Sequence, residues 1–274
     1  MTTRLNILLL ALLVVFGLPY YWLLIDDRPG DARAKPITMW QLRATAQSIA
    51  GERPAFIRYE GVAARRLPRI LVAAGQGIKL TILEARSYRL EFPGQPPIVI
   101  DGGMAGFEAA GLGFRKFEED AQRNIAQEEK KANLIVTMDT QPVSRRGLSG
   151  SGAAKAASKA PKGNACARPR ALAPGLVEVP ICDAVLARRL VYVLLADGRE
   201  YLMTGEIAPT MMNLSAQAGP SRLMNDFFVA QDRTAIHSWL LTIARLSEQA
   251  PEMTIVPGHD RLTFQQMRRG FIES

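Results

Sequence analysis

Histidine and cysteine are scarce in this chain. Its 274 residues include two histidines, His237 and His259, and two cysteines, Cys166 and Cys182, with no Cys-x-x-Cys spacing. A disulfide framework and a zinc ribbon are therefore excluded, although a single disulfide bridge is not. The two histidines also limit any metal centre built on imidazole ligands.

Several common functional motifs are missing as well. The chain has no Gly-x-Ser-x-Gly segment, and the Gly/Ser run at 147–152 lacks the Lys-Ser/Thr of a nucleotide-binding loop. The net charge is +8, but no basic patch interleaved with aromatic residues accompanies it. We therefore expect a basic surface and no nucleic-acid partner.

One long apolar segment opens the chain. Residues 5–25 are apolar or uncharged, and Tyr20, Tyr21 and Trp22 near their end suit a membrane interface. The segment has no small-x-small exit site, which favours an uncleaved transmembrane signal anchor at 1–25 over a cleavable signal peptide. Its flanking charges do not settle the orientation. A short N-terminus before a large domain suggests a periplasmic or extracytoplasmic location.

Residues 26–52 are interpreted as a linker and a first helix, in which Thr38 and Gln41 form a capping box. Extended segments at 56–59, 79–85, 88–92 and 97–100 predict an antiparallel meander. A helix ending near Lys131 and a short strand at 134–137 follow. The Gly/Ala/Ser/Lys-rich residues 147–170 are interpreted as a flexible insert.

The C-terminal half contains another strongly patterned helix. Asp232 can cap residues 233–249, whose apolar residues form a broad face. His237 lies beside that face, so it is interpreted as a surface or boundary residue and not a ligand. Residues 263–272 are expected to form a last short helix.

Two strand-then-loop stretches organise this half of the chain. Residues 190–209 predict a hairpin that turns at Asp197-Gly198 and stops at Gly205, with Glu206 just beyond. About fifty residues later, 254–260 form a second strand and loop that present His259. Together with Asp101-Gly102-Gly103 after the meander, these stretches resemble the metallo-β-lactamase superfamily. The resemblance implies an α/β (α+β) fold, a four-layer αββα sandwich over 53–274, preceded by one transmembrane helix.

The resemblance also locates the superfamily's metal ligands, and most are absent here. Aligning Thr137 with the Thr of the Thr-His-x-His-x-Asp-His motif puts other residues at those ligand positions: Met138, Thr140, Pro142 and Val143. Ala184 falls at the next histidine, Glu206 at the bridging aspartate, and His259 at the last histidine. Two remnant ligands cannot hold a catalytic metal that needs three, so no cofactor is expected.

Three interpretations follow. The favoured one is a membrane-anchored pseudo-hydrolase that has lost its dinuclear metal site and binds or scaffolds a small ligand or an envelope protein. The alternative is an active metal-dependent hydrolase that holds Zn²⁺ or a similar ion in a rebuilt mononuclear site, whose candidate ligands are Asp139, Cys182 or Asp183, Glu206 and His259. In the third, the resemblance is chance and the fold is unrelated.

Overall fold

The computed structural model describes residues 2–27, 30–139, 167–182, 187–229, 231–266 and 271–273. Helix α1 covers Thr3–Ile25, and its apolar residues are not buried against the rest of the protein. Its length and composition suit a membrane anchor or a signal sequence near the N-terminus, and do not distinguish the two.

The first sheet contains the predicted meander. Its strands are β1 Phe56–Pro68, β2 Leu80–Glu91, β3 Ile98–Ile100, β4 Lys116–Phe117, β5 Leu134–Val136 and β11 Phe271–Glu273. Their order is β11-β1-β2-β3-β5, and β4 pairs with β1. The pairs β1–β2 and β2–β3 are antiparallel, whereas β5 and β11 add in parallel. The segments predicted at 79–85 and 88–92 are one strand, because β2 pairs continuously with an unexpectedly long β1.

The second sheet contains the predicted hairpin. Its strands are β6 Arg170–Ala173, β7 Leu176–Cys182, β8 Ala187–Leu194, β9 Glu200–Gly205 and β10 Thr254–Pro257. They are ordered β10-β9-β8-β7-β6, and β10 joins β9 in parallel. Because β9 and β10 are parallel neighbours, the residues that follow their C-terminal ends lie at the same edge of the sheet.

The helices after α1 are α2 Met39–Ala46, α3 Arg69–Val72, α4 Gly106–Gly111, α5 Glu119–Lys131, α6 Met211–Ser215, α7 Arg222–Met224, α8 Arg233–Gln249 and α9 Arg261–Gln266. A π-helical turn, Asn225–Val229, continues α7. The capping box is confirmed, as Thr38 and Gln41 bond reciprocally at the start of α2. Asp232 caps α8 by accepting from the amide of Ala235 at 3.0 Å.

The predicted last helix at 263–272 is wrong in its second half. Helix α9 ends at Gln266, and Phe271 lies in β11. The ring of Phe271 packs edge-on against Phe264 and Tyr201, at centroid distances of 5.0 and 5.2 Å. A strand that pairs with β1 buries this ring between the sheets, which outweighs the local preference for helix.

Alternation along β8 explains how the layers stack. Val191 and Val193 face the core between the two sheets, whereas Leu190 and Tyr192 face a second core under α2 and α8. A third core lies between the first sheet and the helix side that carries Ile125 of α5. The layers therefore run helix, sheet, sheet, helix, which confirms the predicted αββα sandwich.

The residues after α1 form hydrogen bonds and ion pairs with the domain. One of these contacts shows that His237 is not the surface or boundary residue that the sequence predicted. Asp27 is buried and accepts from the amide of Gly219 at 2.5 Å and from the Nε of Arg233 at 3.3 Å. His237 is also buried, and its Nε2 lies 3.1 Å from the same carboxylate. Burial would raise the pKa of Asp27, but its hydrogen bond with His237 and the nearby positive charges lower it.

Candidate functional site

Glu206 and His259 meet where β9 and β10 end side by side. Pro257 pairs with Gly205, and a Cβ on Gly258 would lie 2.4 Å from the Gly205 carbonyl oxygen. Gly205 itself has φ +53, a conformation that L side chains rarely adopt. Glycine at both positions therefore allows the ends of β9 and β10 to approach closely, and the side chains of the following residues, Glu206 and His259, can touch.

The contact between Glu206 and His259 is an ion pair. The Nε2 of His259 lies 2.5 Å from Oε1 of Glu206, and its Nδ1 lies 3.0 Å from the carbonyl oxygen of Glu84. Burial would raise the pKa of Glu206, yet the charge and hydrogen bond of His259 hold it at about 2. Burial would lower the pKa of His259, but Glu206 raises it. Both ring nitrogens thus face acceptors, which suits an imidazolium.

Two further carboxylates line the same pocket as this pair. Asp101 follows β3 with φ +59, and its Oδ1 accepts from the amide of Met138 at 2.7 Å. Burial is the main cause that raises the pKa of Asp101 to about 7, and the charge of Asp139 adds to it. The carboxylic acid of Asp101 is therefore poised between its neutral and charged forms near pH 7.

Asp139 is paired with a buried arginine. The Nε of Arg188 lies 3.1 Å from Oδ2 of Asp139, and the two side chains are 1% and 2% exposed. The positive charge of Arg188 also lowers the pKa of Glu206. Arg188 was not among the candidate site residues predicted from the sequence. The available signal was the pair Arg188-Arg189 inside the otherwise apolar strand β8, where a charge is costly unless it has a partner.

The described side chains of this pocket do not form the three-ligand arrangement that a catalytic metal needs. Within the part of the chain that the structure describes, no group of three His, Cys, Asp or Glu side chains is arranged to hold one. Arg188 satisfies Asp139, and Glu206 and His259 satisfy each other. Met138, which the sequence resemblance aligned with a lost ligand position, is buried shortly after β5. Thr140, Pro142, Val143, Asp183, Ala184 and the side chain of Cys182 lie outside the described residues, as does most of the predicted insert.

A largely apolar cleft opens above the ion pair. Leu67, Leu71 and Leu83 contribute to its walls, and Glu206 and His259 lie at its polar end. Arg65 adds a second cation there. It donates to the carbonyl of Leu112 at 2.8 Å, and its guanidinium lies 5.0 Å from the ring centroid of Phe114. Burial lowers the pKa of Arg65, and the charge of Glu206 opposes this.

No family model and no curated protein matches this sequence. Solved structures do match. A quorum-quenching N-acyl homoserine lactone lactonase superposes with TM-score 0.58 and 16% identity, over 79% of this chain and 97% of that one. An N-acyl homoserine lactone hydrolase with N-hexanoyl-L-homoserine bound at its catalytic metal centre gives 0.57 and 16%, over 78% and 96%.

A probable metal-dependent hydrolase from Staphylococcus aureus is also similar, with TM-score 0.53 and 10% identity over 77% of this chain and 91% of that one. Such identities establish a shared fold and not a shared reaction. The chain has the metallo-β-lactamase fold, as the sequence resemblance predicted.

Proposed function

We propose that this chain is a membrane-anchored pseudo-hydrolase of the metallo-β-lactamase fold whose domain binds a ligand or acts as a scaffold. The observation that carries this proposal is the buried Arg188–Asp139 pair beside the Glu206–His259 pair. Protein cations balance carboxylates at the edge of the sheets where the superfamily binds its metals. Removing one member of a buried pair leaves the other charge unbalanced, which typically costs 3–5 kcal/mol. A metal that took the place of Arg188 beside Asp139 would separate this buried pair, and its binding would be weakened by that cost.

The cleft supports a binding role. A cleft with mainly apolar walls and a few polar groups at one end has the kind of lining found in small-molecule sites. The ion pair fixes the side chains at the base of the cleft, so the base is pre-formed. A small, mainly apolar ligand with one polar end would match this distribution of surface.

The junction after α1 supports the anchor. Arg222 lies over the ring of Trp22 at 5.1 Å and pairs with Asp26 at 2.8 Å. Asp27 is buried in the domain. A leader that is to be removed gains nothing from such contacts, whereas a permanent anchor uses them to hold the domain in place. The periplasmic or extracytoplasmic side remains a prediction.

Metal content tests the proposal. The full chain, purified in detergent without metal-affinity chromatography, is incubated with Zn²⁺, Mn²⁺ or Fe²⁺, desalted, and its metal counted by mass spectrometry. We expect far less than one ion per chain, and the same value for His259→Ala. Glu248→Ala, a change of an exposed residue at the end of α8 that does not line the pocket, serves as the matched control.

One ion per chain in the wild type that disappears in His259→Ala would contradict the proposal. That result would support the alternative, an active hydrolase with a rebuilt mononuclear site. Asp139, Glu206 and His259 line one pocket, which is the observation in its favour. Adding Asp139→Asn to the series would then decide whether Asp139 is a ligand.

A further inference from the structure

Four exposed apolar residues lie on two segments of the domain near the end of α1. Ile78 and Leu80 are 75% and 56% exposed and lie at 75–80, which comprises the turn before β2 and the first residue of that strand. Phe227 and Phe228 are 68% and 72% exposed in the π-helical turn. Exposing large aromatic side chains to water is costly, and contiguous exposed apolar residues mark interaction surfaces. These two segments are called the apolar collar here.

The first segment of the collar is bonded to the last turn of α1, and the second segment continues a helix that contacts this turn. The amide of Gly75 donates to the carbonyl of Leu24 at 3.0 Å, at the start of the first segment. The second segment continues α7, where Arg222 covers Trp22 and pairs with Asp26. The parts of the chain that lead into the two segments are also connected, because the amide of Ala74 donates to the carbonyl of Gly219 at 2.9 Å. These contacts hold the start of each segment close to the end of α1.

The end of α1 is where a membrane surface would lie. A helix of 23 residues is about as long as the hydrocarbon core is thick, so a bilayer that contains α1 has its interface near Ile25. Aromatic side chains favour that interface. Lys79, exposed between Ile78 and Leu80, can keep its charged end at the lipid head groups while its neighbours enter the apolar region.

We propose that the apolar collar lies in the interface of the lipid bilayer that holds α1, as a second membrane contact made by the folded domain. This inference rests on the proposed anchor and extends it. The walls of the cleft include Leu71 and Val72, just before the first segment, and Pro220 and Met224, just before the second. Part of the cleft wall is therefore formed by residues that lie just before the two segments in the chain.

A distant exposed aromatic residue provides the control. Trp40 is 76% exposed on α2, next to Met39, whose amide donates to Gln249 at the end of α8. The other end of α8 is held to Asp27 through Arg233. Since α8 has 17 residues, the two ends are about 25 Å apart. Trp40 is as exposed as the collar residues but remote from the junction.

Spin labels test the proposal in the full chain. Single cysteines at positions 14, 40, 78 and 228 are labelled in a chain whose Cys166 and Cys182 are serine, and the protein is placed in phosphatidylcholine/phosphatidylglycerol nanodiscs. Collision rates with oxygen, which concentrates in lipid, and with a water-soluble nickel complex are then compared. We expect the oxygen-to-nickel ratio at 14, 78 and 228 to exceed the ratio at 40 several-fold.

The label at position 14 separates two kinds of failure. A high ratio at 14 with ratios at 78 and 228 equal to that at 40 would overturn the collar while leaving the anchor intact. A low ratio at 14 would overturn both. Should the cysteine-free chain fail to fold, Phe228→Trp in the native background replaces the labels. Brominated lipid must then quench the emission that this tryptophan adds, and unquenched added emission would refute the proposal.

Discussion

The buried Arg188–Asp139 pair makes the sharpest prediction. We expect Arg188→Met to destabilise the protein by about 3–5 kcal/mol, because Asp139 would keep its charge in a site that is 2% exposed. Methionine fills most of the arginine volume, so the loss is one of charge and not of packing. In a domain of this size that loss corresponds to roughly 6–20 °C in the melting temperature.

The assay is urea unfolding of the full chain in detergent, followed by tryptophan fluorescence. Arg199→Met is the matched control, since Arg199 pairs with Asp197 at 2.6 Å but both side chains are nearly half exposed. An exposed pair contributes about 0–1 kcal/mol. The double variant Arg188→Met/Asp139→Leu removes both charges and should recover most of the stability, because an apolar pair can replace a buried ion pair.

Two results would refute this reasoning. One is a loss in Arg188→Met no larger than in Arg199→Met, which would mean that Asp139 is not held as a buried charge. The other is a double variant as unstable as Arg188→Met, which would mean that the arginine acts through contacts other than its carboxylate partner.

Two further predictions concern ionisable groups. The pKa of Glu206 is lowered to about 2 and that of His259 is raised, so the stability that their pair contributes is fully present between roughly pH 4.5 and 6.5 and is lost as pH rises through the pKa of His259. Glu206→Gln should therefore lose more stability relative to wild type at pH 5.5 than at a pH above the pKa of His259 in urea unfolding, and a loss that is the same at every pH from 5.5 upward would contradict the pairing. The pKa of Asp27 is lowered in the folded chain, so its carboxylate stabilises the fold at pH values above the ordinary pKa of aspartate. This stabilisation is lost as pH falls through the lowered pKa. Asp27→Asn should cost about 3 kcal/mol at pH 7 and speed proteolysis after α1, whereas the exposed Asp31→Asn should do neither.

The sequence was most informative where structure depends on near neighbours. Asp232 caps an amide three residues away, and the alternation of Val191 and Val193 in β8 was visible in the sequence itself. The sequence also indicated that Glu206 and His259 belong to one site, because each follows one of the two strand-then-loop stretches that resemble the superfamily. In these cases the residues that decide the structure lie within a few positions of each other, or within one resembled fold.

Predictions failed where the partner is distant in sequence. His237 looks like a boundary residue on α8, and only folding brings it to Asp27, 210 positions away. The strand at Phe271 exists because β1 offers an edge and Phe264 a ring to pack against. Local propensity contains neither fact, since both depend on the tertiary arrangement of the sheets.

The sequence by itself determined the apolar helix, the two-sheet scaffold and the scarcity of metal-binding side chains. The tertiary structure alone decided how the remaining charges are balanced. Asp139 and Arg188 are 49 positions apart, and the end of α1 bonds to residues nearly 200 positions later. Burial makes an unpaired charge costly and only the folded chain supplies its partner, so the ion pairs of the site and the position of the domain relative to α1 are properties of the fold.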